Sequence, residues 1–141
     1  MQQVFNRIDT RGTAIIGLYF SGEYCRFCKE FTPVLVDAYE EMRSNNIDIV
    51  YVSSDKSLEQ YTRYRATQPW QALDYEDVEL RMSLRDKFDI RTIPALLFFD
   101  TTHGVLLQSD GRDQIESDRS RAIQALKDSV LTGYDSDDND F

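Results

Sequence analysis

The sequence predicts an α/β fold, a central mixed β-sheet flanked by helices on both faces, and three observations carry that expectation. Ala14 to Phe20 is a nearly unbroken apolar run of strand length, which suits a central strand covered on both sides. Strand-sized runs alternate with apolar stripes at helical spacing along the chain. Ala95 to Phe99 and Val105 to Leu107 flank Asp100-Thr101-Thr102-His103-Gly104, the pattern of a hairpin, so those two strands are expected to be antiparallel.

After the first strand comes a short polar turn, Ser21-Gly22-Glu23. Phe27, Phe31, Leu35, Ala38 and Met42 then recur at three- and four-residue intervals, which predicts an amphipathic helix to about Ser44. Pro33 lies inside it, removes one backbone hydrogen bond and is expected to kink it after its first turns. Asn45-Asn46 reads as a turn and Ile47 to Ser53 as a second strand. Ser57 with Gln60 three residues on resembles a capping box, opening a short helix that carries Leu58, Tyr61 and Tyr64 and stops before Pro69. Leu80, Leu84 and Phe88 mark a further helical stripe. Ile115, Ala122, Ile123, Leu126 and Val130 suggest a closing helix that starts near Ser117, with Gly133 as its stop. Residues 1–133 read as one domain, and 134–141, with Asp135-Ser136-Asp137-Asp138-Asn139-Asp140, as an acidic, disordered and solvated tail.

Composition narrows the function classes. A chain of 141 residues with 41% hydrophobic content buries about two-thirds of its unfolded surface and needs no disulfide to hold a core. Sixteen basic against twenty-five acidic residues give a net charge of −9, which argues against a nucleic-acid partner and for a monomer that avoids self-association. The N-terminus has no basic start followed by an apolar core, and the longest apolar runs are too short to span a bilayer. A cytoplasmic location without membrane association is the expectation.

The two cysteines, Cys25 and Cys28, carry the chemistry. They stand two residues apart where the first strand gives way to a helix, which places Cys25 at or near the first helical turn. Unpaired backbone N–H groups and the positive end of the helix dipole favour a thiolate there. Cys25 is then a nucleophile, and Cys28, one turn further on, can attack a mixed disulfide formed at Cys25. Two other readings exist for a Cys-x-x-Cys pair. A tetrahedral zinc site needs more ligands than this chain holds, since His103 is its single histidine, so metal binding would require a second chain. Two buried, inert cysteines are the other reading.

Tyr19-Phe20-Ser21, the Cys25-Cys28 pair, Phe31-Thr32-Pro33, Val52-Ser53-Ser54-Asp55, Pro69-Trp70 and Ile93-Pro94 together resemble the tryparedoxin and nucleoredoxin branch of the thioredoxin-like superfamily. The match runs from about Ile16 to Asp118. It implies a thioredoxin-like fold with Cys25 as attacking and Cys28 as resolving cysteine. It also implies an Ile93-Pro94 loop with a cis peptide that faces the dithiol, and substrate contacts from Tyr24, Trp70, Thr92, Ile93 and Pro94. From residue type alone, Trp70 reads as a core or rim aromatic.

The resemblance further implies a protein-disulfide reductase that uses no cofactor beyond its own dithiol. Its electron donor would be a low-molecular-weight dithiol such as trypanothione, or a thioredoxin reductase, and its acceptors disulfide-containing proteins that include peroxiredoxins. The competing reading is a binding or redox-sensing module on the same fold, because Tyr24-Cys25-Arg26-Phe27-Cys28 departs from the branch's usual Trp-Cys-Pro-Pro-Cys. Arg26 either tunes the Cys25 thiolate or is a solvated charge. Phe27 is expected in the core, His103 in a surface turn, and Glu23 and Lys29 on the surface. Tyr19 stands where many thioredoxins keep a buried aspartate that handles protons for the second cysteine, which leaves open what serves Cys28 here.

Overall fold

Strand β1 (Ile15–Ser21) is the middle of a five-stranded sheet, as its apolar run predicted. The computed structural model describes the backbone of residues 1–139 and the side chains of residues 1–130. Along the chain the elements are α1 (Gln2–Phe5), β1, α2 (Arg26–Ser44), β2 (Ile47–Ser53), α3 (Leu58–Arg65), β3 (Gln71–Ala72), α4 (Val78–Lys87), β4 (Ala95–Asp100), β5 (Leu106–Gln108), α5 (Gly111–Ser117) and α6 (Arg119–Asn139). The sheet order is β3-β2-β1-β4-β5.

β1 runs parallel to β2, with Ile15 opposite Ile47 and Ser21 opposite Ser53, and antiparallel to β4, with Phe20 opposite Ala95. The second pairing positions the site. Because the end of β1 meets the start of β4, the turn after β1 and the Thr92–Pro94 loop before β4 are carried to the same edge of the sheet.

Alternation along the strands divides the interior into two layers. Ile15, Tyr19, Ile47, Ile49, Tyr51, Leu96 and Phe98 share one with Phe31, Leu35, Ala38 and Met42 of α2 and with Ala122, Ile123 and Leu126 of α6. Ile16, Leu18, Phe20, Val50, Val52, Leu97 and Phe99 share the other with Leu80 and Leu84 of α4. Helices cover both faces.

Several boundaries differ from the sequence reading. The closing helix is two helices, because Asp118 adopts an extended conformation between α5 and α6 and its carboxylate accepts the Arg121 amide at 3.2 Å. α6 extends through Asn139, past the expected stop at Gly133, and the expected tail, 134–141, lies outside the residues whose side chains are described. β5 starts one residue later than expected, and β3, only two residues long, left no periodic signal. α2 is continuous from Arg26 to Ser44 with Pro33 inside it. At α3 the Ser57 hydroxyl accepts the Gln60 amide at 3.1 Å, while Gln60 reaches back to the Lys56 amide rather than to Ser57. Among the described residues no helix is long and apolar enough to cross a membrane.

Candidate active site

Cys25 is the N-cap of α2, in an extended conformation, and its sulfur accepts the Cys28 backbone amide at 3.3 Å. A cap residue meets a helix N–H that has no intrahelical partner, so the sulfur takes the place that a serine or aspartate oxygen usually fills. The preceding turn is fixed from three sides. The Cys25 amide donates to Gly22 O at 3.1 Å, the Ser54 amide to Ser21 O at 2.8 Å, and the Glu23 amide to the buried Asp55 carboxylate at 2.7 Å. Tyr51 and Ser53 also donate their hydroxyls to Asp55.

The two thiols are free, and they differ in exposure: Cys25 is half-buried and Cys28 fully buried. Burial first, and then its hydrogen bond to Cys25, push the Cys28 thiol up to about 12. The Ser21 hydroxyl and the Gly22 backbone act on Cys28 in the opposite direction. From Ser21 a line of buried hydroxyls continues, with Ser21 Oγ 2.9 Å from Tyr64 OH, Tyr64 OH hydrogen-bonded to Thr32 Oγ1, and Thr32 Oγ1 2.7 Å from Tyr19 OH. Burial raises the Tyr64 hydroxyl above the ordinary phenol value and the Tyr19 hydroxyl well above it.

Across the cleft the Ile93–Pro94 peptide is cis, and Ile93 O lies 3.7 Å from the Cys25 sulfur. Thr92 is exposed, Ile93 half-buried and Pro94 buried, so the loop presents a partly polar rim beside the half-buried sulfur. Tyr24 is exposed next to it, with the Lys56 ammonium 4.4 Å from its ring centre.

Trp70 does not belong to that rim. It is 5% exposed, its ring edge-on to Tyr19 and Tyr39, and its Nε1 donates to Gln68 at 2.9 Å, so of the core and rim placements that residue type allows it takes the core one. Arg26 pairs with Glu30, one helical turn on, at 3.2 Å with most of its side chain in water. That pairing fits the solvated-charge reading of Arg26. Phe27, expected in the core, is 58% exposed. The buried stripe of α2 starts instead at Cys28 and Phe31.

Glu23 is more than a surface residue. Arg63 on α3 grips it with hydrogen bonds of 2.8 and 3.1 Å, which hold its carboxyl below the usual range and tie the turn before Cys25 to α3. Lys29 lines a groove of about 520 Å³ between α2 and α3, with Thr32, Pro33, Asp37 and Tyr64 among its walls. His103 is exposed in the β4–β5 turn, as expected.

Residues 12–105 match the family model described as Thioredoxin-like. The chain belongs to the thioredoxin-like family. It is 36% identical over 119 residues to Nucleoredoxin of Danio rerio, a match that covers 80% of this chain and 28% of that protein. It is 41% identical over 112 residues to Probable nucleoredoxin 1 of Arabidopsis thaliana, covering 79% of this chain and 19% of that one. The chain thus spans less than a third of the length of either curated relative. Among solved structures, tryparedoxin II from C. fasciculata superposes with a TM-score of 0.74 at 30% identity, over 76% of this chain and 71% of that chain. Tryparedoxin II complexed with glutathionylspermidine gives 0.76 at 28% identity, over 78% of each. These similarities place the chain in the tryparedoxin and nucleoredoxin branch, with a thioredoxin-like fold.

Ser21, Thr32 and Tyr64 were not anticipated at the site. Thr32 follows Cys28 by four residues and so shares its buried helix face. A hydroxyl on an otherwise apolar stripe was the available signal.

Proposed function

We propose that this chain is a thiol-disulfide oxidoreductase that reduces protein disulfides. The reading rests above all on the asymmetry of the pair: a half-buried sulfur capping a helix, with a buried thiol one turn behind it and a cis-proline loop in front. The Cys25 thiolate attacks one sulfur of a substrate disulfide and the other sulfur leaves as a thiolate. The Cys28 thiolate then attacks Cys25 Sγ, forming the Cys25–Cys28 disulfide and expelling the second substrate sulfur. Two electrons from a donor dithiol restore the reduced pair, and the cycle uses no metal or nucleotide.

For the donor we favour a low-molecular-weight dithiol of the trypanothione type, because the related tryparedoxin II is described in complex with glutathionylspermidine. A thioredoxin reductase is the second candidate donor, and disulfide-form peroxiredoxins are candidate acceptors. Tyr24, Thr92, Ile93 and Pro94 would contact the substrate segment. A monomeric, cytoplasmic protein completes the proposal.

Insulin reduction driven by dithiothreitol tests it. Turnover should be lost in Cys25→Ser, and Cys28→Ser should accumulate mixed disulfides whose partners identify the acceptors. Background turnover in the wild type would sink the reductase reading and leave a binding or redox-sensing module.

A further inference from the structure

We infer that Ser21, Tyr64 and Thr32 form a proton path from the buried Cys28 sulfur to water in the groove between α2 and α3, through which the mixed disulfide is resolved. The inference rests on the dithiol reading above. Cys28 has no exposure, and the face in front of Cys25 is where a substrate protein docks, so the thiol needs another route for its proton.

The chain of hydroxyls supplies one. The Ser21 hydroxyl favours the ionised form of Cys28, and Ser21 Oγ lies 2.9 Å from Tyr64 OH. Tyr64 OH is hydrogen-bonded to Thr32 Oγ1, and Thr32 and Tyr64 both line the groove. Each hydroxyl is donor and acceptor at once, so it can accept a proton on one side and release another on the opposite side with no net change. The raised Tyr64 phenol remains neutral at working pH, so it passes protons along and does not store them.

The groups around the path are accounted for. Cys28 faces Ser21, Gly22 and Cys25. Tyr64 faces Ser21, Thr32, Tyr19, Cys28 and the edge-on ring of Tyr51, and Thr32 Oγ1 also meets Tyr19 OH at 2.7 Å. Asp55, a buried carboxylate on the β2 side, is tied to Tyr51, Ser53 and the Glu23 amide. At the groove the charged walls are Glu23, Lys29, Asp37 and Arg63, with Glu23 and Arg63 paired.

In the resolving step the Cys28 proton moves to Ser21 Oγ as the Ser21 proton moves to Tyr64, the Tyr64 proton to Thr32, and the Thr32 proton to groove water. The Cys28 thiolate bonds to Cys25 Sγ, the Cys25–substrate S–S bond breaks, and the substrate sulfur leaves with the electron pair and takes a proton from solvent. Ser21, Tyr64 and Thr32 are positioning residues for Cys28, since none touches the substrate.

Stopped-flow reaction of the full, reduced chain with excess 5,5′-dithiobis(2-nitrobenzoate) separates the two chemical steps, because attack by Cys25 releases one thionitrobenzoate and resolution by Cys28 the second. Tyr64→Phe should leave the first release unchanged and slow the second on the order of 10- to 100-fold at pH 7, with the gap narrowing toward pH 9 as hydroxide substitutes for the path. Thr32→Val, close to isosteric, breaks the path at its groove end and should act likewise if Tyr64→Phe fails to fold. The wild-type second release should also slow in deuterium oxide, and either variant should reduce that isotope effect. Second releases at the wild-type rate in both variants would overturn the path. A wild type without a first release would instead overturn the dithiol reading, and this inference with it.

Discussion

Cys28 donates its backbone amide to the Cys25 sulfur at 3.3 Å while its own sulfur is fully buried, so the two thiols of one helical turn have opposite access to water. A thiol pushed from the ordinary 9.0 up to about 12 holds about 1,000-fold less thiolate at neutral pH than an unperturbed one. Iodoacetamide at pH 7 should therefore label Cys25 alone in the native reduced protein. Cys25→Ser should react on the order of 100-fold more slowly than Cys28→Ser, since the thiolate is the reacting form. Peptide mapping after limited alkylation checks this, and prior labelling at Cys28 would reverse the assigned roles.

The same burial makes stability depend on pH. The folded chain keeps the Cys28 proton to about 12, whereas the unfolded chain releases it near 9.0, so above that pH the unfolded state binds fewer protons. The contribution is complete below pH 9 and is lost as pH rises toward 12. Between pH 9 and 10 the reduced wild type should lose about 1 kcal/mol more unfolding free energy than Cys28→Ala. The raised tyrosines, including Tyr19 and Tyr51, add losses of the same sign at higher pH. Urea titrations at the two pH values measure the difference, and equal slopes would refute it.

Gly111, the first residue of α5, sits where a β-carbon would come within 2.7 Å of the Leu96 carbonyl oxygen and 2.8 Å of the Phe98 ring. The carbonyl belongs to β4, two residues after Pro94, and cannot yield as a flexible side chain would. Gly111→Ala should destabilise the chain by about 1–3 kcal/mol through overpacking. Thermal unfolding of the reduced protein checks it, with an unchanged Tm counting against so close an approach of α5 to β4.

Much of this architecture was legible because burial leaves a period in the sequence. The doubly covered β1, the α2 stripe from Phe31 to Met42, β2 and the final hairpin all carry it. Gln71–Ala72 was too short to show one, and the break at Asp118 interrupts a stripe that reads as continuous across Ile115 and Ala122. At the site, strand-turn-helix spacing placed Cys25 at the helix start. The cis Ile93–Pro94 bond followed from family resemblance and not from local propensity. What stayed hidden was pairing between distant residues: Glu23 with Arg63, or Ser21 with Tyr64, forty and forty-three positions apart. Nothing local marks such partners, and the stripe's spacing points its edge residue, Phe27, inward where the helix start turns it out.

Arg26 and Phe27, the pair between the cysteines, both face outward, and that shared placement separates stability from function. Arg26 is engaged with Glu30 in an exposed ion pair, so Arg26→Ala should move the Cys25–Cys28 potential by no more than about 10 mV in glutathione equilibration. Phe27 is 58% exposed beside the half-buried nucleophile, and Phe27→Ala should change unfolding free energy by less than about 0.5 kcal/mol. An exposed aromatic at a docking face contributes through area that a partner covers. On the reductase reading, Phe27→Ala should therefore raise KM for insulin about 3- to 10-fold, a loss of about 1 kcal/mol of contact, and leave the rate with 5,5′-dithiobis(2-nitrobenzoate), which is too small to span the face, unchanged. Equal losses with both substrates would place Phe27 in the chemistry at Cys25, and no loss with either would make it a solvated side chain.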